Sequence, residues 1–180
     1  SVELSDYDHA FIMEKCRQYE IKPLFTAFDV KRAVFLHNLG MDIVKIASPD
    51  ADNTVLRQYC TDVFPTVIIS TGMTMNFTRI GGGTRLLYCI SKYPTPYEEV
   101  DFDKMRLFDG FSDHTLGIKA SKRAIDLGMG YVERHYTLGK WLPGKDHMVS
   151  STPDEFEELV KHRNYVEKCK LYKIRWIGDT

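Results

Sequence analysis

The sequence predicts an α/β fold built on a parallel sheet, with about six βα units legible in 180 residues. Three observations predict it. Short apolar runs alternate with helical patterns, which implies a parallel sheet covered by helices. The runs are apolar at nearly every position, as expected of strands buried on both faces. Polar side chains gather where one run after another ends, and in parallel α/β folds the ligand lies at the carboxyl ends of the strands.

Residues 5–19 form an amphipathic helix with Ser5 as N-cap and Phe11, Ile12 and Cys16 (with His9) at helical spacing. The run KPLFTAF, 22–28, is a short strand ending near Thr26. Residues 30–38 suit a helix that Gly40 stops. MDIVKIAS, 41–48, is the second strand, and 52–59 a short helix. PTVIIS, 65–70, is the third strand. The connection 74–83 is short and glycine-rich, and its Gly81-Gly82-Gly83 precedes a strand, so it reads as a turn rather than a phosphate cradle. RLLYCIS, 85–91, is the fourth strand. Tyr93-Pro94-Thr95-Pro96 is a rigid loop, because each proline fixes φ and lacks a donor. A brief helix fits 100–106, a fifth strand 107–112, a helix 118–127 and a sixth strand 131–138. Thr152 caps a last helix with Pro153 at its first position and acidic residues in the first turn, running to about 171.

A hydrophobic content of 43% and a net charge of −1 fit a soluble globular domain with a sizeable core. That balance gives no electrostatic case for nucleic acid or an anionic membrane. Cys16, Cys60, Cys89 and Cys169 contain no C-x-x-C pair and read as reduced thiols in a cytoplasmic protein. No apolar run reaches the ~18 residues of a spanning helix, and the start of the chain has no signal-peptide pattern.

The polar strand ends hold Thr26; Lys45 with Ser48 and Asp50; Ser70; Ser91 with Tyr93; Ser112 with His114; and His135. Lys45 is the most informative. It sits inside an apolar strand in phase with Ile43 and Ala47, so it must lose its charge, find an anion or snorkel to the rim. An anion partner is the favoured reading. In YVERHYTL the alternation of a strand puts Tyr131, Glu133, His135 and Thr137 on one face. His114 ends the neighbouring strand, and strands lie about 4.8 Å apart, so both imidazoles could reach one divalent ion. Two histidines leave open positions for water and substrate, which suits a catalytic metal. Asp146, in the loop LPGKDH, is either a turn residue or an acceptor for sugar hydroxyls.

At these residues the chain resembles the sialic acid synthase family, the phosphoenolpyruvate-condensing synthases of nonulosonic acids. The matching blocks are KIASPDADN, ISTGM, LLYCISKYPTPYEEV, GFSDHTLGI, ERHYTLGKWLPGKDH and STPDEFEELV, in order from about residue 24 to 160. The resemblance implies a TIM-type (β/α)8 barrel, about six of its eight βα units visible here, that joins phosphoenolpyruvate to an N-acetylated amino sugar such as N-acetylmannosamine and releases phosphate by C–O cleavage. It implies that Lys45, Thr26, Ser48, Ser70, Ser91 and Ser112 hold phosphoenolpyruvate, with Lys45 and Asp50 in catalytic roles. Tyr93 and Asp146 would contact the sugar. His114 and His135 would bind Mn²⁺ or Mg²⁺. Homodimerisation is one option.

The chain departs from the family pattern in several places. The first two barrel strands, one with an E-I-G-like and one with a K-F-Q-like segment, have no counterpart. Ser91 stands where many members have Asn, and Pro49 where many have Gly. The expected organisation is a partial barrel domain over 1–171 and a tail over 172–180, without the antifreeze-like domain of many members. Two alternatives stay open: a non-catalytic sugar- or phosphate-binding homologue or subunit of a larger assembly, and a phosphoenolpyruvate-condensing synthase with a different acceptor.

Overall fold

The computed structural model describes residues 4–75 and 77–178, with side chains described through residue 170. Six parallel strands run in sequence order: β1 (Phe25–Thr26), β2 (Ile43–Ile46), β3 (Thr66–Ser70), β4 (Thr84–Cys89), β5 (Gly110–Asp113) and β6 (Tyr131–Arg134). Each strand pairs with the next, so every crossover returns over the same side of the sheet. The sheet curls into a half-barrel. A direct sign is that Lys45 on β2 reaches Glu133 on β6, four strands away.

The helices lie on the convex face, and strand alternation decides what meets them. On β2, Val44 and Ile46 are fully buried and pack with Ala33 and Leu36 of α2 (Val30–Asn38) and Leu56 and Cys60 of α3 (Thr54–Val63). Lys45, between them, faces the hollow of the curl. On β4 and β5, Tyr88 and Phe111 pack outward against Met105 of α4 (Phe102–Met105) and Ala120 and Ala124 of α5 (Lys119–Asp126). Each buried side chain of this size contributes about 1.5–3 kcal/mol. The outward positions thus hold the fold together and leave the inward ones available for chemistry.

Most expected elements are present with adjusted ends. The first helix, α1 (Asp6–Gln18), begins with a capping box in which Ser5 accepts from the Asp8 N–H and Asp8 accepts from the Ser5 N–H. Gly40 adopts φ +85° just past α2, a left-handed turn open to glycine at no steric cost. Between β3 and β4 no helix forms among the described residues. Arg57, buried on α3, bonds the Ala51 carbonyl at 3.0 Å and the Thr78 carbonyl at 2.5 Å, and so ties this connection to the helix.

Several boundaries move: β1 shortens to Phe25–Thr26, α3 runs on to Val63, and β5 begins at Gly110 because 107–109 form a turn. The sixth strand ends at Arg134 rather than 138, so His135 lies just beyond it; there the chain turns to bond the segment around Ser151 instead of a neighbouring strand. The last helix, α6 (Pro153–Gly178), continues through the stretch expected to be a tail, and residues 179–180 lie outside the described part. Among the described residues, no helix is long and apolar enough to cross a membrane.

Candidate active site

A cleft of about 480 Å³ opens at the carboxyl ends of β2 to β6. Its walls include Lys45, Ser48, Ser70, Cys89, Ser91, Tyr93, Ser112, His114, Glu133 and His135. Register explains the grouping. Cys89, Ser112 and Glu133 are aligned partners across β4, β5 and β6, so alternation turns all three into the hollow together.

Lys45 and Glu133 form an ion pair across the cleft, with side chains 14% and 35% exposed. Ser112 Oγ donates to the other Glu133 oxygen at 2.6 Å. Burial pushes the Glu133 carboxyl upward, but Lys45 and the Ser112 hydroxyl outweigh it and hold the acid below its usual range. The anion partner favoured for Lys45 from the sequence is therefore supplied by the chain itself. Ser70 Oγ, on the same wall, is buried without a hydrogen-bond partner. An unpaired hydroxyl costs about 1–3 kcal/mol of desolvation, which a bound acceptor would recover.

The two histidines come together as expected: their rings are 5.3 Å apart, centroid to centroid. His114 Nδ1–H donates to the Ile90 carbonyl at 3.0 Å, which leaves Nε2 as the nitrogen with a free lone pair. Burial keeps this imidazole neutral to lower pH than usual, against the opposing pull of that carbonyl. The Tyr93 ring packs at a tilt against His114, centroids 4.1 Å apart, and edge-on against His135 at 5.8 Å. Asp146 Oδ2 is 4.0 Å from His135 Nδ1, at the rim. Among the described residues no cluster of three or more His, Cys, Asp or Glu side chains is poised to hold a metal.

Behind each histidine runs a dry strut. Arg134 and Asp113 form an ion pair at 3.0 Å with side chains 1% and 0% exposed. The guanidinium also bonds the Thr115 carbonyl at 3.0 Å, the Val149 carbonyl at 2.7 Å and Ser151 Oγ at 3.0 Å. Asp113 accepts from the Thr115 N–H and from Ser121 Oγ. Because Asp113 precedes His114 and Arg134 precedes His135, this pair fixes the backbone on which both imidazoles stand.

The structure thus brings Lys45, Ser48, Ser70, Ser91, Tyr93, Ser112, His114 and His135 into one cleft. Thr26, Asp50 and Asp146 are not among its walls. Thr26 is aligned beside Lys45 on β1, Asp50 ends the 3-10 turn Ser48–Asp50, and Asp146 stands at the rim. Glu133 and Cys89 were not assigned from the sequence. Both signals were present: Glu133 shares a strand face with His135, and Cys89 lies two residues before Ser91.

A sequence model of the NeuB family matches residues 1–174. The chain is 34% identical over 89% of its length to the N,N'-diacetyllegionaminic acid synthase of Legionella pneumophila, covering 51% of that protein. It is 32% identical over 83% of its length to the human N-acetylneuraminate-9-phosphate synthase, covering 47% of it. The chain spans about half the length of the curated relatives it matches. Among solved structures, it superposes with TM-score 0.83 on an N-acetylneuraminic acid synthetase of Leptospira borgpetersenii, at 26% identity, covering 93% of this chain and 64% of that one. A truncated 3-deoxy-D-arabino-heptulosonate 7-phosphate synthase of Thermotoga maritima, at 14% identity and TM-score 0.75, shares the fold. The chain belongs to the NeuB family.

Proposed function

We propose that this cleft condenses phosphoenolpyruvate with an N-acetylated amino sugar to form a sialic acid or related nonulosonic acid, releasing phosphate. The observation that carries this reading is the convergence of Lys45, the unpartnered hydroxyl of Ser70 and the His114/His135 pair on one cleft. The first two suit the phosphate and carboxylate of phosphoenolpyruvate, and the last two a metal beside the acceptor. Relatives named as synthases of N-acetylneuraminate 9-phosphate, diacetyllegionaminic acid and pseudaminic acid support the product class.

The reaction needs alignment more than covalent help. Carbon 3 of phosphoenolpyruvate forms a bond to the aldehyde carbon, whose oxygen takes up a proton. Water adds at carbon 2 and loses a proton. The bond from carbon 2 to the bridging oxygen then breaks as the new hydroxyl gives up its proton and becomes the ketone, and phosphate leaves with that oxygen and takes the proton. Lys45, Ser48, Ser70, Ser91 and Ser112 would hold phosphoenolpyruvate, with Thr26 in support from β1. Tyr93 and Asp146 would orient the sugar, and Asp50 would assist proton transfer. Glu133 must yield Lys45 to the incoming anion, and its carboxylate then stands beside the reacting centre.

The histidines suit a divalent ion, Mn²⁺ or Mg²⁺: Nε2 of His114 is unprotonated, and two imidazoles leave positions for water and substrate. Bound there, it would supply Lewis-acid polarisation of the aldehyde.

The test is incubation of the chain with phosphoenolpyruvate, Mn²⁺ and a panel of N-acetylated amino sugars, free and phosphorylated. Equimolar phosphate and keto acid with one acceptor is the expected result; no product with any acceptor would sink the proposal. A second reading, ligand binding without turnover, is favoured by the Lys45–Glu133 ion pair, which occupies the lysine that the reaction needs. Tight phosphoenolpyruvate binding with no product, unchanged by His114→Ala, would select it.

A further inference from the structure

The ends of β2, β3 and β4 crowd around a residue with no side chain. Gly72 follows β3, and its N–H donates to Ser48 Oγ at 3.1 Å. Ser48 Oγ donates in turn to Cys89 Sγ at 3.6 Å. A Cβ on Gly72 would lie 2.4 Å from Ser91 Oγ, 2.9 Å from Cys89 Sγ and 3.0 Å from the Ser91 nitrogen. All three distances are shorter than ordinary van der Waals contact with a carbon, so each approach is repulsive. Gly72 is not among the glycines with positive φ. Its backbone would accept another residue, and only space excludes one.

Which atom would give way follows from chemistry. The Ser91 nitrogen belongs to the chain entering the Tyr93–Pro96 loop, and Cys89 Sγ is buried beside Ser48 and His114. Ser91 Oγ is the closest of the three and turns about one bond. A methyl group at position 72 would therefore rotate the Ser91 hydroxyl out of its place on the cleft wall before it moved anything else.

We propose that Gly72 is a positioning residue for the anion subsite: its missing side chain sets where the Ser91 hydroxyl stands, and its N–H fixes the Ser48 hydroxyl opposite. This rests on the assignment of both serines to phosphoenolpyruvate. It makes affinity for the anion, rather than for the sugar, the property that Gly72 controls.

The experiment is a double-mutant cycle with the full chain: wild type, Gly72→Ala, Ser91→Gly and both together, titrated with phosphoenolpyruvate and with inorganic phosphate. Gly72→Ala is expected to weaken both ligands about tenfold and to raise the phosphoenolpyruvate KM in step, with kcat and the sugar KM within about twofold. In the Ser91→Gly background, where the nearest obstacle is gone, the same change is expected to cost less than about threefold. Equal losses in both backgrounds, or a parallel rise in the sugar KM, would overturn the proposal. If Gly72→Ala does not fold, the double variant must; failure of both makes Gly72 a structural glycine and refutes the positioning role. A wild type that binds neither ligand refutes the functional assignment instead. A crystal structure of Gly72→Ala then decides the positioning claim separately: a displaced Ser91 hydroxyl supports it, and an unmoved one overturns it.

Discussion

Strand β6 carries two neighbouring charged residues whose partners could hardly differ more. Arg134 points away from the cleft centre to Asp113, in a pair with no more than 1% exposure and every guanidinium nitrogen bonded. Glu133, one residue earlier, meets Lys45 where solvent reaches the carboxylate, which is 35% exposed. The first pair has nowhere else to go. The second can exchange partners, because water or an anion can replace either member. One pair is sealed from solvent, the other open to the ligand exchange proposed above, and a single residue step separates them.

The comparison breaks first at the dry pair. Arg134→Met leaves Asp113 buried without its cation and is expected to cost about 3–5 kcal/mol. In a chain of this size that is a fall of about 6–20 °C in melting temperature, measured by calorimetry. Lys45→Met is expected to change stability by less than about 1 kcal/mol, yet to lower kcat/KM about 100-fold, or about 2.7 kcal/mol. Equal melting losses for the two variants would erase the distinction. Glu133→Gln removes the internal competitor for Lys45 and is expected to bind inorganic phosphate about tenfold more tightly; weaker binding would show that the carboxylate positions Lys45 instead of occupying it.

The smallest effect lies at the surface, where Glu155 closes a capping box with Thr152 and pairs with Lys140. Burial raises its pKa, but Lys140 and the Thr152 N–H prevail and lower it overall. A lowered acid contributes stability above its unfolded value of about 4.3, and the contribution is lost as pH falls through the folded value. Glu155→Gln should therefore cost about 0.5–1 kcal/mol near pH 7, with the gap from wild type closing below about pH 4. A gap that widens in acid would contradict this.

The sheet was legible because its strands are apolar runs between helical patterns, and Gly40 and Thr152 punctuate the chain by local chemistry alone. Lys45 was legible as a charge in an apolar strand. Its partner was not, because the contact spans four strands and depends on how far the sheet curls, which no local pattern encodes. Strand alternation placed Glu133 and His135 on one face, yet strand pairing stops at Arg134; beyond it the His135 carbonyl and the Thr137 N–H bond to the backbone of Ser151, far along the chain. Gly72 carries no chemical signal in the sequence, since its importance lies in the atoms that surround it.

The central claim is that Lys45 exchanges Glu133 for the anion of phosphoenolpyruvate. Calorimetric titration of wild type and Lys45→Met with phosphoenolpyruvate tests it most directly. At least 100-fold weaker binding by the variant, at an unchanged melting temperature, is the predicted result. Equal affinity in the two proteins would contradict it.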